Sequence, residues 1–272
     1  MDKKKKAKTK PNSSPLPAGR GIELNDLFKK SLELLENSGQ NLFITGKAGT
    51  GKSTLLDYFR GQTKKRVVVL APTGVAAINV RGETIHSFFG FKPDITLDKV
   101  RKLDFEKRGK PNIYKKIEAI VIDEISMVRA DLLDCVDKFL RLNGPDKNLP
   151  FGGLQMIFFG DLYQLPPVVT SREQHIFKGH YASPYFFSAR VFQIVKFEYL
   201  ELEKVYRQKD EKFIALLNAI RNNSATETEL TALNQRYLPD FEATGDYSIY
   251  LTTTNQMARE LNEVRLNSLK GK

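Results

Sequence analysis

The segment from Gly46 to Ser53 reads GKAGTGKS and carries a lysine and a hydroxyl side chain directly after its last glycine. An apolar run precedes it and a helix-forming run follows, which is the context of a phosphate-binding P-loop. Glycines let backbone N–H groups surround phosphate oxygens, and the start of the next helix favours negative charge. Lys52 is expected to reach the β- and γ-phosphates of a nucleotide, and Ser53 to bind Mg²⁺. The predicted phosphate-binding residues are Gly46, Gly49, Thr50, Gly51, Lys52, Ser53 and Thr54.

An acidic pair, Asp123 and Glu124, ends the apolar run in AIVIDEISMV. Asp123 is expected to face the Mg²⁺ that Ser53 holds, because a parallel sheet presents ligands at its carboxyl edge. Glu124 is one residue further along and is placed to orient and deprotonate an attacking water. The plainer alternative is an acidic pair that merely ends a strand.

A third polar set, Gly160, Asp161 and Gln164, leaves the apolar run in MIFFGDLYQLPPV. The two prolines that follow stiffen the backbone after it. A glutamine near the γ-phosphate can sense which nucleotide is bound, and Gln164 is predicted to do so. As an isolated residue it would be a turn residue instead.

Four apolar runs must position these side chains: NLFITG, RVVVLAP, AIVIDE and MIFFGD. They are continuous rather than alternating, which is typical of strands that are buried on both faces. Helical patterns separate them, so the sequence predicts an α/β fold with βαβ units, right-handed crossovers and a parallel sheet flanked by helices.

Composition places the chain among soluble globular proteins, with 41% hydrophobic and 28% charged residues in 272. We expect no transmembrane span, since no apolar run approaches about 20 residues, and no secretory signal. Cys135 is the only cysteine, which favours a reducing compartment. Its surroundings predict a small buried side chain, with a reactive thiol as the alternative. The expected location is the cytoplasm in a bacterium, or the nucleus or mitochondrion in a eukaryote.

Residues 1–20 carry six lysines and Arg20 against Asp2, a large share of the net charge of +11. Lysines mixed with proline, serine and glycine predict a disordered basic tail. This tail is either a solubilising end or an arm that binds phosphates without sequence preference.

A second region is predicted to begin at residue 197, with FEYLELEKVYRQ. It continues through an amphipathic helix, EKFIALLNAIRNN. The later stretch YSIYLTTTNQMARELNEVRLNSL predicts a strand, a helix cap at Thr254 and Asn255, and a helix.

Five blocks stand in the order found in one helicase family: FITGKAGTGKST, LAPTGVAAINVRGETIHSFF, IVIDEISMV, FFGDLYQLPPV and LEKVYRQ. The chain resembles the Pif-type (petite integration frequency) DNA helicases of superfamily one, the group that also contains RecD-like enzymes. The resemblance runs from about residue 42 to 208 and extends weakly to LTTTNQMARELN. It implies a first RecA-like P-loop NTPase domain over residues 21–196 and the beginning of a second, incomplete one over residues 197–272.

The family's activity is ATP-driven, 5′-to-3′ movement on DNA. The resemblance therefore implies ATP and Mg²⁺ as cofactors, single-stranded DNA and DNA junctions as partners, a monomer, and work in DNA repair, recombination or telomere maintenance. It implies catalytic roles for Lys52, Glu124, Gln164 and Arg207, and Mg²⁺ ligation by Ser53 and Asp123. Arg207 matches an arginine that approaches the γ-phosphate, which is worth about 10³–10⁵ in phosphoryl transfer. Taken alone, Arg207 would be a surface residue.

The stretch from Ala71 to Phe91 holds the family's two strand-contacting blocks. The implied DNA contacts are Pro72, Thr73, Gly74, Thr84, His86, Ser87 and Phe88. Stacking of a base on an aromatic ring is worth about 1–3 kcal/mol and needs no sequence readout. We assign Phe88 or His86 to the DNA and the neighbouring Phe89 and Phe91 to core packing. A purely structural role for His86 is the alternative.

The chain departs from the family in two respects. IELNDLFKKSL has no glutamine, although the family usually carries one ahead of the P-loop to read adenine. The family's distal H-x-x-Q-G and L-S-R blocks are also missing. For these residues alone we therefore expect weak ATP hydrolysis and little unwinding. Two other functions stay open: an ATP-gated module that binds single-stranded DNA without translocation, and a P-loop ATPase that acts on a partner other than nucleic acid.

Overall fold

A computed structural model describes residues 25–107, 109–171, 173–204, 206, 210–239 and 249–269, without the side chains of residues 175 and 176. The predicted basic tail, residues 1–20, lies outside these ranges, as does Arg207. Contacts divide the chain into two units, one up to Ile214 and one from Ala215.

The described residues form six strands and nine α-helices, which are numbered in chain order. The strands are β1 (Asn41–Gly46), β2 (Val67–Ala71), β3 (Glu83–Thr84), β4 (Ala119–Ile122), β5 (Gln155–Phe159) and β6 (Phe197–Leu202). The helices are α1 (Asp26–Asn37), α2 (Lys52–Gln62), α3 (Gly74–Asn79), α4 (Ile85–Phe89), α5 (Ala130–Asn143), α6 (Gln174–Phe177), α7 (Glu211–Arg221), α8 (Glu227–Asn234) and α9 (Asn255–Ser268).

The six strands form one sheet in the order β3-β2-β4-β5-β1-β6, and every neighbouring pair is parallel. The predicted α/β fold with a parallel sheet is thereby confirmed. None of the described helices is both long enough and apolar enough to cross a membrane.

The sheet is buried on both faces, as the continuous apolar runs predict. All four residues of β4 and all five of β5 are buried. On one face Ile120 and Ile122 belong to an apolar cluster with α5, and on the other Ala119 and Val121 belong to a cluster that includes residues of α1 and α2. Alternate residues of one strand thus face opposite helical layers.

Cys135 lies in α5 with 1% of its surface exposed. Burial, together with the charge of Asp131, raises the pKa of its thiol to about 12. A thiol with so high a pKa stays protonated at neutral pH and is a poor nucleophile. The predicted packing role of Cys135 is therefore confirmed.

The strand β6 was predicted to open the second region, and the structure places it in the first. It pairs with β1 along its whole length, from Asn41 opposite Phe197 to Gly46 opposite Leu202. Because this edge strand completes the sheet, the contacts divide the chain after Ile214 and not at the predicted boundary between residues 196 and 197.

The second unit contains α8 and α9. The predicted helix cap at Thr254 is confirmed, since the Thr254 hydroxyl accepts a hydrogen bond of 3.3 Å from the backbone N–H of Met257. The strand predicted around residues 247–251 is wrong for its described part, residues 249–251, which is not a strand. Ile249 and Leu251 are 87% and 95% exposed. An apolar run becomes a strand only beside a partner strand, and the described part of this unit offers none.

Candidate nucleotide site and nucleic-acid interface

The loop between β1 and α2 has the backbone of a phosphate cradle. Gly49 and Gly51 have φ values of 81° and 92°, in the left-handed region that favours glycine. Gly51 caps α2, and among the described residues no side chain supplies a cap hydrogen bond to its first turn. The N–H groups of that turn are therefore suited to an anion.

Gly46 is required for a different reason, which is the close approach of β6. A Cβ atom at Gly46 would lie 2.4 Å from the carbonyl oxygen of Leu202 and 2.7 Å from the hydroxyl oxygen of Thr50. The first glycine of the loop thus makes room for the edge strand.

The Lys52 ammonium group lies inside the loop that it follows. Its Nζ donates to the carbonyl oxygen of Gly46 at 2.6 Å and to that of Lys47 at 3.2 Å. The Thr50 hydroxyl also donates to Lys47, at 2.9 Å. These bonds fold the loop in advance and hold a positive charge where a phosphate would lie.

Asp123 lies in electrostatic contact with Lys52, at the carboxyl end of β4. Burial raises the pKa of Asp123 to about 6, and the negative charges of Glu124 and Asp57 add to the rise, while the charge of Lys52 opposes it. The structure thus brings Lys52, Asp123 and Glu124 together, as predicted. The catalytic and metal-binding roles of these residues stay predictions.

Asp57 is a residue of this site that the motifs did not reveal. It lies on α2 four residues after Ser53, a spacing that puts the two side chains on one face of the helix. Its charge acts on Asp123. The helical spacing from Ser53 was the signal that could have found it.

Glu124 has a left-handed backbone, with φ of 52° and ψ of 43°. This conformation is uncommon for residues other than glycine and costs of order 1–3 kcal/mol. Glu124 begins a short 3₁₀ helix, Ile125–Met127, which packs on the end of β5: a Cβ at Gly160 would lie 2.8 Å from the Ile125 side chain. Packing of the adjacent Ile125 thus holds the strained backbone of Glu124 in one conformation.

Gln164 is held by Asp161, at the end of β5. The Gln164 side-chain amide donates to the Asp161 carboxylate at 3.2 Å, and the Gln164 backbone N–H donates to the Asp161 carbonyl at 3.0 Å. Asp161 itself is buried. Gln164 therefore lies in a fixed turn, and its role as a nucleotide sensor stays a prediction.

Tyr206, the residue before Arg207, lies over the phosphate loop. Its backbone N–H donates to the carbonyl oxygen of Gly49 at 2.9 Å, and its ring lies 3.8 Å from the position of a Cβ on Gly51. Its hydroxyl accepts from the side-chain amide of Asn25 at 3.2 Å. The LEKVYRQ block pointed to Arg207 alone, and no sequence pattern singled out Tyr206 or Asn25.

The residues predicted to contact DNA lie at or just after the carboxyl ends of β2 and β3, on the same edge of the sheet. The hydroxyl of Thr73 caps α3, accepting from the N–H of Ala76 at 3.2 Å, and that of Thr84 caps α4, accepting from the N–H of Ser87 at 3.2 Å. The Ser87 hydroxyl donates to the Glu83 carboxylate. Pro72 precedes Thr73 in the turn after β2, and Gly74 is the first residue of α3.

The aromatic residues of α4 mostly pack inward. Phe89 is buried and stacks on Phe91, with ring centroids 5.3 Å apart, which confirms the packing assigned to both. Phe88 is partly buried and meets the rings of Phe89 and Tyr114 edge to face, at 4.9 and 5.4 Å. These contacts weigh against a stacking role for Phe88 at DNA, and that role stays a prediction.

The side chains at the carboxyl edge fit Mg²⁺ by their chemistry. Mg²⁺ takes oxygen ligands and is usually held by one or two carboxylates together with substrate phosphates. The Ser53 hydroxyl and the Asp123 carboxylate supply such oxygens. Within the described ranges, no group of three or more His, Cys, Asp or Glu side chains could hold a metal ion by itself.

The pKa of Asp123 predicts a pH-dependent loss of stability. Its rise from 3.8 to about 6 means that the folded state resists ionisation, so the cost is absent at low pH and grows as pH rises through this window. Asp123→Asn should stabilise the nucleotide-free protein, by about 2 kcal/mol more at about pH 7.5 than at about pH 4.5. Thermal unfolding in EDTA at both pH values measures the difference. Asp26→Asn, at an exposed helix start, is the control, and an equal gain at both pH values would contradict the prediction.

A family model described as PIF1-like helicase matches residues 23–231. Among curated proteins, ATP-dependent DNA helicase PIF1 of Saccharomyces cerevisiae (strain YJM789) is 37% identical over 255 residues, which cover 89% of this chain and 28% of that protein. The Homo sapiens protein of the same name is 36% identical over 236 residues, covering 86% of this chain and 35% of its own length. The chain thus spans about a third of the length of these relatives.

Solved structures agree with the sequence relatives. The crystal structure of Pif1 helicase from Bacteroides in complex with ADP-AlF3 and ssDNA superposes with a TM-score of 0.83 at 37% identity, covering 92% of this chain and 58% of that one. Pif1 helicase from Candida albicans gives a TM-score of 0.74 at 30% identity, covering 92% and 56%. With a family model over most of its residues and this shared fold, the chain belongs to the PIF1-like helicase family.

Proposed function

We propose that this chain is the motor-core portion of an ATP-dependent 5′-to-3′ DNA helicase, which hydrolyses ATP and binds single-stranded DNA. The observation that carries the proposal is a hydrogen bond of 2.9 Å from the backbone N–H of Asp123 to the carbonyl oxygen of Leu70. It joins the end of β4, where the acidic pair lies, to β2, which leads within two residues into Pro72 and Thr73. The two candidate sites therefore occupy adjacent strand ends.

In this proposal the residues around the phosphate-binding loop have distinct roles in ATP hydrolysis. The glycine loop and Lys52 bind the phosphates, while Ser53 and Asp123 hold Mg²⁺, which neutralises phosphate charge when bound. Glu124 takes a proton from the attacking water, and Gln164 and Arg207 act on the γ-phosphate side. The Bacteroides relative with ADP-AlF3 and ssDNA supports both ligands.

On the nucleic-acid side, hydroxyl and backbone groups at Thr73 and Thr84 contact the strand. Contacts of this kind position a strand without reading its sequence, which suits a motor that moves along any sequence. DNA junctions as substrates and a monomeric state are part of the same proposal.

ATP hydrolysis with and without DNA tests this function. We expect a long single-stranded oligonucleotide at low salt to raise the ATPase rate, because β2, which leads into the Thr73 loop, is hydrogen-bonded through Leu70 to Asp123. The Lys52→Ala variant, measured in parallel, corrects for contaminating ATPases. Binding of DNA without any rise would indicate an ATP-gated binding module, and neither binding nor a rise would indicate a partner other than nucleic acid.

A further inference from the structure

A cavity of about 200 Å³ opens between the loops that follow β2, β4 and β5. Its walls are mostly apolar and come from distant parts of the chain, namely Pro72, Pro93, Ile95, Met127 and Val168. It is smaller than the roughly 300–1,000 Å³ typical of pockets for drug-sized ligands. Its size suits a single ring system rather than a whole nucleotide.

The polar part of the cavity carries no surplus positive charge. Arg129 lines it, and its guanidinium grips Asp131 with two hydrogen bonds of 2.9 and 2.6 Å and also pairs with Glu173. Hydrogen bonds from Thr170, with the nearby charge of Arg129, lower the pKa of Glu173 to about 2, so this carboxylate is ionised at neutral pH. Asp131 forms an ion pair with the same guanidinium. The positive charge of Arg129 is therefore already paired with the carboxylates of Asp131 and Glu173. A phosphate group would find no net electrostatic attraction in this cavity.

His86 and Thr73 complete the polar part. Burial, with the charge of Arg129, lowers the pKa of His86, so its imidazole is neutral at pH 7. A neutral imidazole has one donor and one acceptor nitrogen. Thr73 adds a hydroxyl that can donate. These groups match an uncharged ligand with both donors and acceptors, between apolar walls.

We propose that this cavity binds one nucleobase of the single strand, turned out of the stack while the phosphates stay on the loops of Thr73 and Thr84. The proposal rests on DNA binding as proposed above and names a subsite within it. The apolar walls cover the faces of the ring, and His86 and Thr73 meet its edge. Every base has an apolar face and polar edge, so the subsite tolerates any sequence.

The occupant would touch both loops that leave the nucleotide site. Met127 and Arg129 follow Glu124 within five residues, and Val168 follows Gln164 within four. Glu173 lies on the same stretch as Val168 and is bonded to Arg129. A base in the cavity therefore bridges the segments after the acidic pair and after the glutamine turn.

The test compares two ten-nucleotide strands with equal phosphate charge, oligo-dT and a fully abasic strand, by fluorescence anisotropy at fixed low salt. Val168→Phe should fill the cavity from its rim, because Val168 is 71% exposed there and does not belong to the core. Val264→Phe is the matched control, since Val264 is 69% exposed on α9 and does not line the cavity. We expect wild type and Val264→Phe to prefer oligo-dT by about tenfold or more, the effect of one or more bound bases.

Val168→Phe should lose most of that preference and bind the abasic strand as the wild type does. Equal weakening of both strands would overturn the proposal, because the cavity would then take sugar or phosphate. Unchanged binding of both strands by Val168→Phe would also overturn it. If the wild type binds neither strand, DNA binding itself fails, which differs from a failure of the subsite alone.

Discussion

Glu124→Gln is expected to lower the rate of ATP hydrolysis by about 10²–10⁴-fold, the contribution of a general base, with little change in ATP affinity. Glutamine has nearly the same shape and can still hold the attacking water, but it cannot accept the water's proton. The backbone at Glu124 is strained and packed by Ile125 on Gly160, so the new side chain should occupy the same place. The variant should accumulate as a complex with unhydrolysed ATP.

The measurement pairs a fluorescent-nucleotide titration with a steady-state ATPase assay. Glu106→Gln, in an exposed loop, has the same chemical change and should behave as the wild type. Normal hydrolysis by Glu124→Gln would show that another group is the base. Loss of nucleotide binding would show instead that Glu124 shapes the phosphate site.

Lys52→Ala is expected to abolish turnover and to weaken ATP binding by about 10–100-fold, the usual range for a charge-assisted hydrogen bond. The side chain both supplies the charge near the phosphates and closes the loop on the carbonyl oxygens of Gly46 and Lys47. Its removal therefore leaves the phosphate loop without its cation and without two of the hydrogen bonds that shape it.

Isothermal titration with ATP and ADP and the ATPase assay check this expectation. Lys64→Ala removes an exposed lysine just after α2 and serves as the control. Because Lys52 also opposes the rise in the pKa of Asp123, Lys52→Ala should leave Asp123 still harder to ionise. Retained turnover in Lys52→Ala would contradict the assigned role of the P-loop.

Most strands of the sheet could be predicted from the sequence, because parallel strands that are buried on both faces consist of continuous apolar runs. β6 is different, since FEYLEL mixes charged and apolar residues and places only Leu200 and Leu202 inside. Its place beside β1 depends on a pairing between residues 156 positions apart in the sequence, such as Asn41 and Phe197. The run at residues 249–251 is the converse case, where apolar residues without a partner strand remain unpaired.

The candidate site was predictable where spacing carries the chemistry, as in Gly46 to Ser53 and Asp123–Glu124. It was not predictable where the tertiary fold brings groups together. Tyr206 contacts the phosphate loop four residues after β6, which pairs with β1, and Phe88 packs against Tyr114, which is 26 residues away in the sequence. The ion pair between Arg129 and Glu173 likewise joins residues that are 44 positions apart in the sequence.

The pairing of β6 with β1 has an evolutionary consequence. The last paired residues are Gly46 and Leu202. Four residues after Leu202, the backbone N–H of Tyr206 donates a hydrogen bond to the carbonyl oxygen of Gly49. One inserted or deleted residue in β6 would move the following side chains to the opposite face of the sheet. Glu201 would then take the place of a buried leucine. Homologues should therefore keep the number of residues from Phe197 to Tyr206 and keep apolar residues at positions 200 and 202, while the exposed positions of β6 vary in residue type. The length of this ten-residue stretch therefore determines whether Tyr206 can reach the phosphate loop from the edge strand.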